Sequence, residues 1–70
     1  MTAIEAHISG VVWRIDCAVG DEIVEGDTVA VLESMKMEMP VESDISGTVK
    51  EIVCSKGDKV NEGDPLIVLE

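Results

Sequence analysis

The apolar positions of this chain fall in short bursts separated by glycine and acidic residues. Ile4-Glu5-Ala6-His7-Ile8 alternates loosely between apolar and polar side chains and contains β-formers. Gly10 then precedes a run from Val11 to Ile15, and Glu22 to Val24 makes a third short run. Thr28 to Leu32 is densely aliphatic, with the composition of a buried strand. Gly20-Asp21 and Glu25-Gly26-Asp27 stand between these runs. Glycine reaches positive φ freely and Asp bonds its own backbone, so such groups punctuate β-rich chains. No window holds a 3.6-residue apolar period with caps, so the pattern predicts strands and no substantial helix.

The same pattern then occurs again. Residues 1–33 align without gaps on residues 38–70, at an offset of 37. From Ile8 to Glu33 against Ile45 to Glu70, fourteen of 26 positions are identical. Ordinary composition gives only about two chance identities over the whole alignment. Glu5 also falls on Glu42, and Ile4 on the similar Val41. Two copies are too few for a solenoid. They predict one quasi-twofold domain over residues 1–70, with about four strands per half. Such strands make two packed four-stranded antiparallel sheets, a flattened barrel or barrel-sandwich hybrid. Met37 to Glu42 is the strand that leaves the junction, and Pro40 within it predicts an edge position.

Only Ser34, Met35, Lys36 and Met37 lie outside the repeat. They join the two halves, so they form the tip of a tight hairpin. The symmetric counterpart of that junction is the pair of chain ends. The tetrapeptide is therefore expected at one end of the domain and the termini at the other.

Composition narrows what such a domain can do. Seventy residues bury a thin core, with little room for an enclosed active site. Phe and Tyr are absent, and Trp13 is the sole aromatic residue. Two cysteines and one histidine are too few for a closed structural zinc site. The net charge of −10 argues against nucleic acid and against an anionic membrane surface. It favours a basic or neutral protein partner. No segment has the length of a membrane-spanning helix, and the N-terminus lacks the basic and apolar regions of a signal peptide. The expected compartment is the cytoplasm, where cysteines stay reduced.

The junction reads E-S-M-K-M-E-M-P, from Glu33 to Pro40. With the G-D and E-G-D turns, Gly47 before its strand and the length, it resembles the biotinyl/lipoyl attachment domain family. The resemblance covers essentially the whole chain and is greatest to the free-standing small biotin attachment proteins. Ser34 stands where the usual motif has Ala. The resemblance implies that Lys36 takes a covalent biotin from a biotin protein ligase, with Met35 and Met37 as flanking recognition residues. It implies a carboxyl carrier that moves between a biotin carboxylase and a carboxyltransferase and catalyses neither step. The chemistry is in keeping with that role. Lysine offers a long stem and a nucleophilic amine once deprotonated. Tethering gives the attached group a high effective concentration at each active site. Methionine is flexible and polarizable, which suits contact with several partners.

Two other functions compete. A lipoyl carrier would use lipoate on the same lysine, although lipoyl sites more often have Asp before the lysine and Ala after it. An unmodified interaction module would use the barrel alone. An independent enzyme has the least support, since no Ser/His/Asp or Cys/His arrangement and no phosphate-binding glycine loop is present. Cys17 and Cys54 occupy equivalent repeat positions and read as small apolar side chains rather than a metal pair. His7 reads as structural or solvated. Trp13 aligns with Lys50, so its site tolerates exposure, and it reads either as a partner contact or as partly buried along the barrel. Glu33 and Glu38 flank the tip and read as a solvated rim, with recognition by the ligase as the alternative. One of Met35 and Met37 is expected to fill the core, because neighbours on a strand point to opposite faces.

Overall fold

A computed structural model describes residues 2–70 and contains eight strands. They are β1 (Thr2–Glu5), β2 (Gly10–Ile15), β3 (Glu22–Ile23), β4 (Thr28–Ser34), β5 (Met37–Glu42), β6 (Gly47–Ile52), β7 (Lys59–Val60) and β8 (Pro65–Leu69). Two four-stranded sheets result, in the orders β1-β8-β6-β3 and β5-β4-β2-β7. Every pairing is antiparallel.

The two halves are interleaved rather than stacked. Each sheet draws two strands from each half of the repeat. Backbone bonds stitch the halves together in matched pairs. The Ala6 N–H donates to the Asp64 carbonyl at 2.9 Å, and the Ser43 N–H donates to the Asp27 carbonyl at 2.8 Å. The Val12 and Val49 N–H groups donate to the carbonyls of Asp58 and Asp21 in the same equivalent way. The turn aspartates act alike: Asp21, Asp27, Asp58 and Asp64 each accept from the N–H three residues upstream, at 2.8–2.9 Å.

The core follows the repeat as well. Val12 matches Val49, Val29 matches Leu66, and Leu32 matches Leu69, all nearly inaccessible to solvent. Each such side chain contributes about 1.5–3 kcal/mol by leaving water. Pro40 lies on β5, an edge strand, so its missing N–H costs no ladder bond.

Three boundaries differ from the expected ones. The first strand covers Thr2–Glu5 rather than extending to Ile8. The register shifts after Ile4, where Leu66 is the extra residue on β8; Ala6 keeps the alternation of Ile4 into the core, and its backbone bonds go to Gly63 and Asp64 of the other half. Val24 lies outside β3, exposed, with its N–H held by the Asp27 carboxylate. The dense aliphatic run extends two residues further, to Ser34, because β4 continues into the hairpin beyond the last core layer.

Candidate functional site: the hairpin tip at Lys36

β4 and β5 pair Leu32 with Met39, Glu33 with Glu38, and Ser34 with Met37. Leu32 is the last fully buried residue on β4 before the turn. The ladder beyond it projects past the core and closes with Met35 and Lys36 alone. Both residues are left-handed, at φ 51° and 64°. A two-residue turn of this kind matches the right-handed twist of the strands, and it usually takes Asn-Gly. Here both residues carry a Cβ, at a cost of about 1–2 kcal/mol each. The flanking ladder holds them there, as it does for strained residues at many functional sites.

The turn leaves Lys36 exposed, with Met35 92% and Met37 62% exposed on either side of it. Neither methionine fills the core. Alternation places a core residue two positions on, at Met39, which is half-buried opposite Leu32. β2 braces the base of the hairpin. A Cβ on Gly10 would meet the Glu33 carbonyl oxygen at 2.6 Å, so only glycine lets the two backbones approach this closely. In the sequence the one signal for that role is the alignment of Gly10 with Gly47 in the repeat.

Glu33 and Glu38 face each other across the ladder, exposed, and neither has an ion pair among the described residues. Like charges in direct opposition repel, so the base of the tip presents concentrated negative charge.

The remaining sites noted in the sequence lie away from the tip. Cys17 is half-buried and Cys54 buried, both as free thiols. Burial pushes both thiols up, with nearby Asp21 adding to the effect at Cys17 and Asp58 at Cys54. Both are thereby less nucleophilic than a free cysteine. Among the described residues, no group of three His, Cys, Asp or Glu side chains is placed to hold a metal ion. His7 is exposed and lines an open cleft of about 620 Å³ with Ile4, Glu5, Pro40, Glu42 and Glu62. Trp13 is 40% exposed and has the Arg14 guanidinium 5.2 Å from its ring centroid. No helix among the described residues is long and apolar enough to cross a membrane.

Fold and tip together define a class: a small all-β domain that presents one lysine at the end of a projecting hairpin. Residues 1–69 match the family model described as "Biotin-requiring enzyme", and the chain belongs to this biotin/lipoyl attachment family. Over 38 residues it is 47% identical to a biotin/lipoyl attachment protein of Bacillus subtilis, covering 54% of this chain and 52% of that protein. Over 38 residues it is also 50% identical to the "Biotinylated protein TB7.3 homolog" of Mycolicibacterium smegmatis, covering 54% of each. The matched stretch thus spans about half the length of these curated relatives. Among solved structures, it resembles the urea carboxylase of Kluyveromyces lactis at a TM-score of 0.91 and 36% identity, over 99% of this chain and 6% of that one. It also resembles a single-chain, multi-domain long-chain acyl-CoA carboxylase at a TM-score of 0.87 and 27% identity, over 94% of this chain and 7% of that one.

Proposed function

We propose that Lys36 carries biotin through an amide bond, and that the domain shuttles a carboxyl group between a biotin carboxylase and a carboxyltransferase. The observation that carries this reading is Lys36 at the apex of the projecting two-residue turn, between two exposed methionines. The likeness to portions of two carboxylases supports the choice of biotin.

In this reading a biotin protein ligase activates the biotin carboxylate with ATP. The Lys36 amine, once deprotonated, attacks the activated carbonyl; a C–N bond forms and the activating group leaves. The carrier residues contribute placement alone. Projection beyond the core gives an active site access to the amine from most directions. The flanking thioethers offer adaptable apolar contact to each enzyme in turn. Lys36 would hold biotin by its amide, and the bound group would supply a ring nitrogen able to take a carboxyl group at one partner and give it up at the other. Both reactions occur on the partners.

Intact mass spectrometry of the protein from cells with an active biotin ligase tests this. The expected result is a biotin-sized increment that Lys36→Ala abolishes. An unmodified mass in those cells would overturn it. Lipoate on the same lysine is the second reading, because the family covers both groups. Streptavidin and an anti-lipoyl reagent separate the two.

A further inference from the structure

Quasi-twofold symmetry supplies an internal comparison. What the two halves share is what the fold requires; where equivalent positions differ, the difference answers to something else. The two outer sheet faces are equivalent in backbone and differ in chemistry.

On the sheet that carries the tip, the register β2-β4-β5 places Arg14 beside Val31 and Val31 beside Pro40. One row closer to the tip, Val11 lies beside Glu33. Trp13 is the extra residue of the bulge between Val12 and Arg14. Val12, Ala30 and Leu32 face the core, so Val31 and its neighbours face outward. Val31 is nevertheless 5% exposed and lies outside the core cluster, so its outer-face neighbours cover it. On the other sheet the bulge between Val49 and Glu51 falls at Lys50. The positions equivalent to Val11, Trp13, Arg14 and Pro40 are Thr48, Lys50, Glu51 and Ala3. One face thus carries Trp13 and Val11 beside Arg14, with Lys59 next to Val11, and the other carries Lys50 and Thr48 beside Glu51. The fold accommodates either.

The face that carries Trp13 is continuous with the tip. Val31 is four residues before Met35 on β4. At about 3.3 Å per residue, the Trp13 patch begins roughly 13 Å from the turn. A specific protein interface covers about 800 Å² per partner, roughly 30 Å across. An enzyme that takes the Lys36 amine itself into its active site can therefore reach this face with an interface of that size. Enzymes that act on the far end of an attached arm do not have to. Tryptophan is among the residues most enriched at the energetic centres of interfaces. The net charge of −10, and the opposed Glu33 and Glu38 beside the patch, call for a cationic partner surface.

We propose that the outer face of β2 and β4, centred on Trp13 with Val11, Arg14 and Val31, is the docking surface for the enzyme that acylates Lys36. The occupant is a protein surface with an apolar recess for the indole, rimmed by basic side chains that face Glu33 and Glu38. This rests on the reading of Lys36 as the acylated residue.

The test uses the unmodified full chain and the purified biotin protein ligase of a cell that makes it. Trp13→Lys copies the residue that the same bulge already accepts at Lys50. It should raise the carrier KM by about tenfold with little change in kcat, the pattern of lost binding that the ground state and transition state share. Lys50→Trp should leave the KM unchanged. As a readout independent of any variant, the single indole N–H of the wild-type protein should shift saturably in NMR on titration with ligase. Wild-type KM in Trp13→Lys, or an unmoved indole signal while biotin is still incorporated, would overturn the docking surface and leave the carrier reading intact. Failure of the wild-type protein to accept biotin would overturn both.

Discussion

Replacing Gly10 by alanine tests how closely β2 grips the strand that carries the lysine. The new Cβ would lie 2.6 Å from the Glu33 carbonyl oxygen and 3.3 Å from its carbon. Favourable contacts lie near 3.5 Å, so β2 and β4 must part by about 1 Å. Both obstructing atoms are backbone, and no rotamer change relieves them. Overpacking of this kind costs about 1–3 kcal/mol. Reduced freedom of the unfolded chain returns about 0.4–1 kcal/mol. The expected net loss is about 1–2 kcal/mol, and each kcal/mol moves the Tm of a domain this size by about 4–8 °C. Gly47 is the control at the equivalent position. Its Cβ would meet the carbonyl oxygen of the exposed Glu70 at 3.1 Å and the buried Leu69 side chain at 3.3–3.4 Å, an overlap of a few tenths of an ångström rather than about 1 Å. Glu70 at the end of the described chain can give by that much, so Gly47→Ala should cost at least about 1 kcal/mol less than Gly10→Ala. Urea and thermal denaturation followed by the fluorescence of Trp13, the sole tryptophan, measure both. A Gly10→Ala protein as stable as wild type, or equal losses at the two glycines, would refute the close-approach reasoning.

Two further outcomes follow from the turn and the thiols. Met35→Asn places a residue tolerant of left-handed backbone at φ 51° and should stabilise the protein by about 0.5–1 kcal/mol, read as a rise in Tm; a fall would mean that the turn is not strained there. Both cysteine pKa values are raised by folding, from an ordinary value of 9.0. Above that value the unfolded thiols ionise before the folded ones, so the stability they contribute is complete below about pH 9 and is lost as pH rises through the folded values. Urea midpoints taken from pH 8 upward should therefore fall, and fall less in Cys54→Ala; an identical pH slope in that variant would contradict the assignment.

Much of this molecule is legible in one chain because it is written twice. Gly20-Asp21 and Gly57-Asp58 announce matched turns, and the structure gives Asp21 and Asp58 the same backbone bond. Lys36 stands out as the centre of the only unrepeated residues, and Pro40 marks an edge before any pairing is known. What does not show is how the halves share the sheets. That depends on bonds such as Ala6 to Asp64, which link residues distant in sequence and leave no local signature. Alternation also misplaces Met37, since it says which residues share a face and not where the core ends. Leu32 and Met39 form its last layer, and everything nearer the turn is solvated whichever way it points.

Thr2 pairs with Leu69, the counterpart of Met39 with Leu32. The strands nearest the two ends therefore run side by side, as the arms of the hairpin do, at the corner related to it by symmetry. Polypeptide joined at either end would leave by the same door. The corner that gathers the two end strands is thus the counterpart of the one that offers the lysine, and a chain leaving there need not cross the lysine-bearing face.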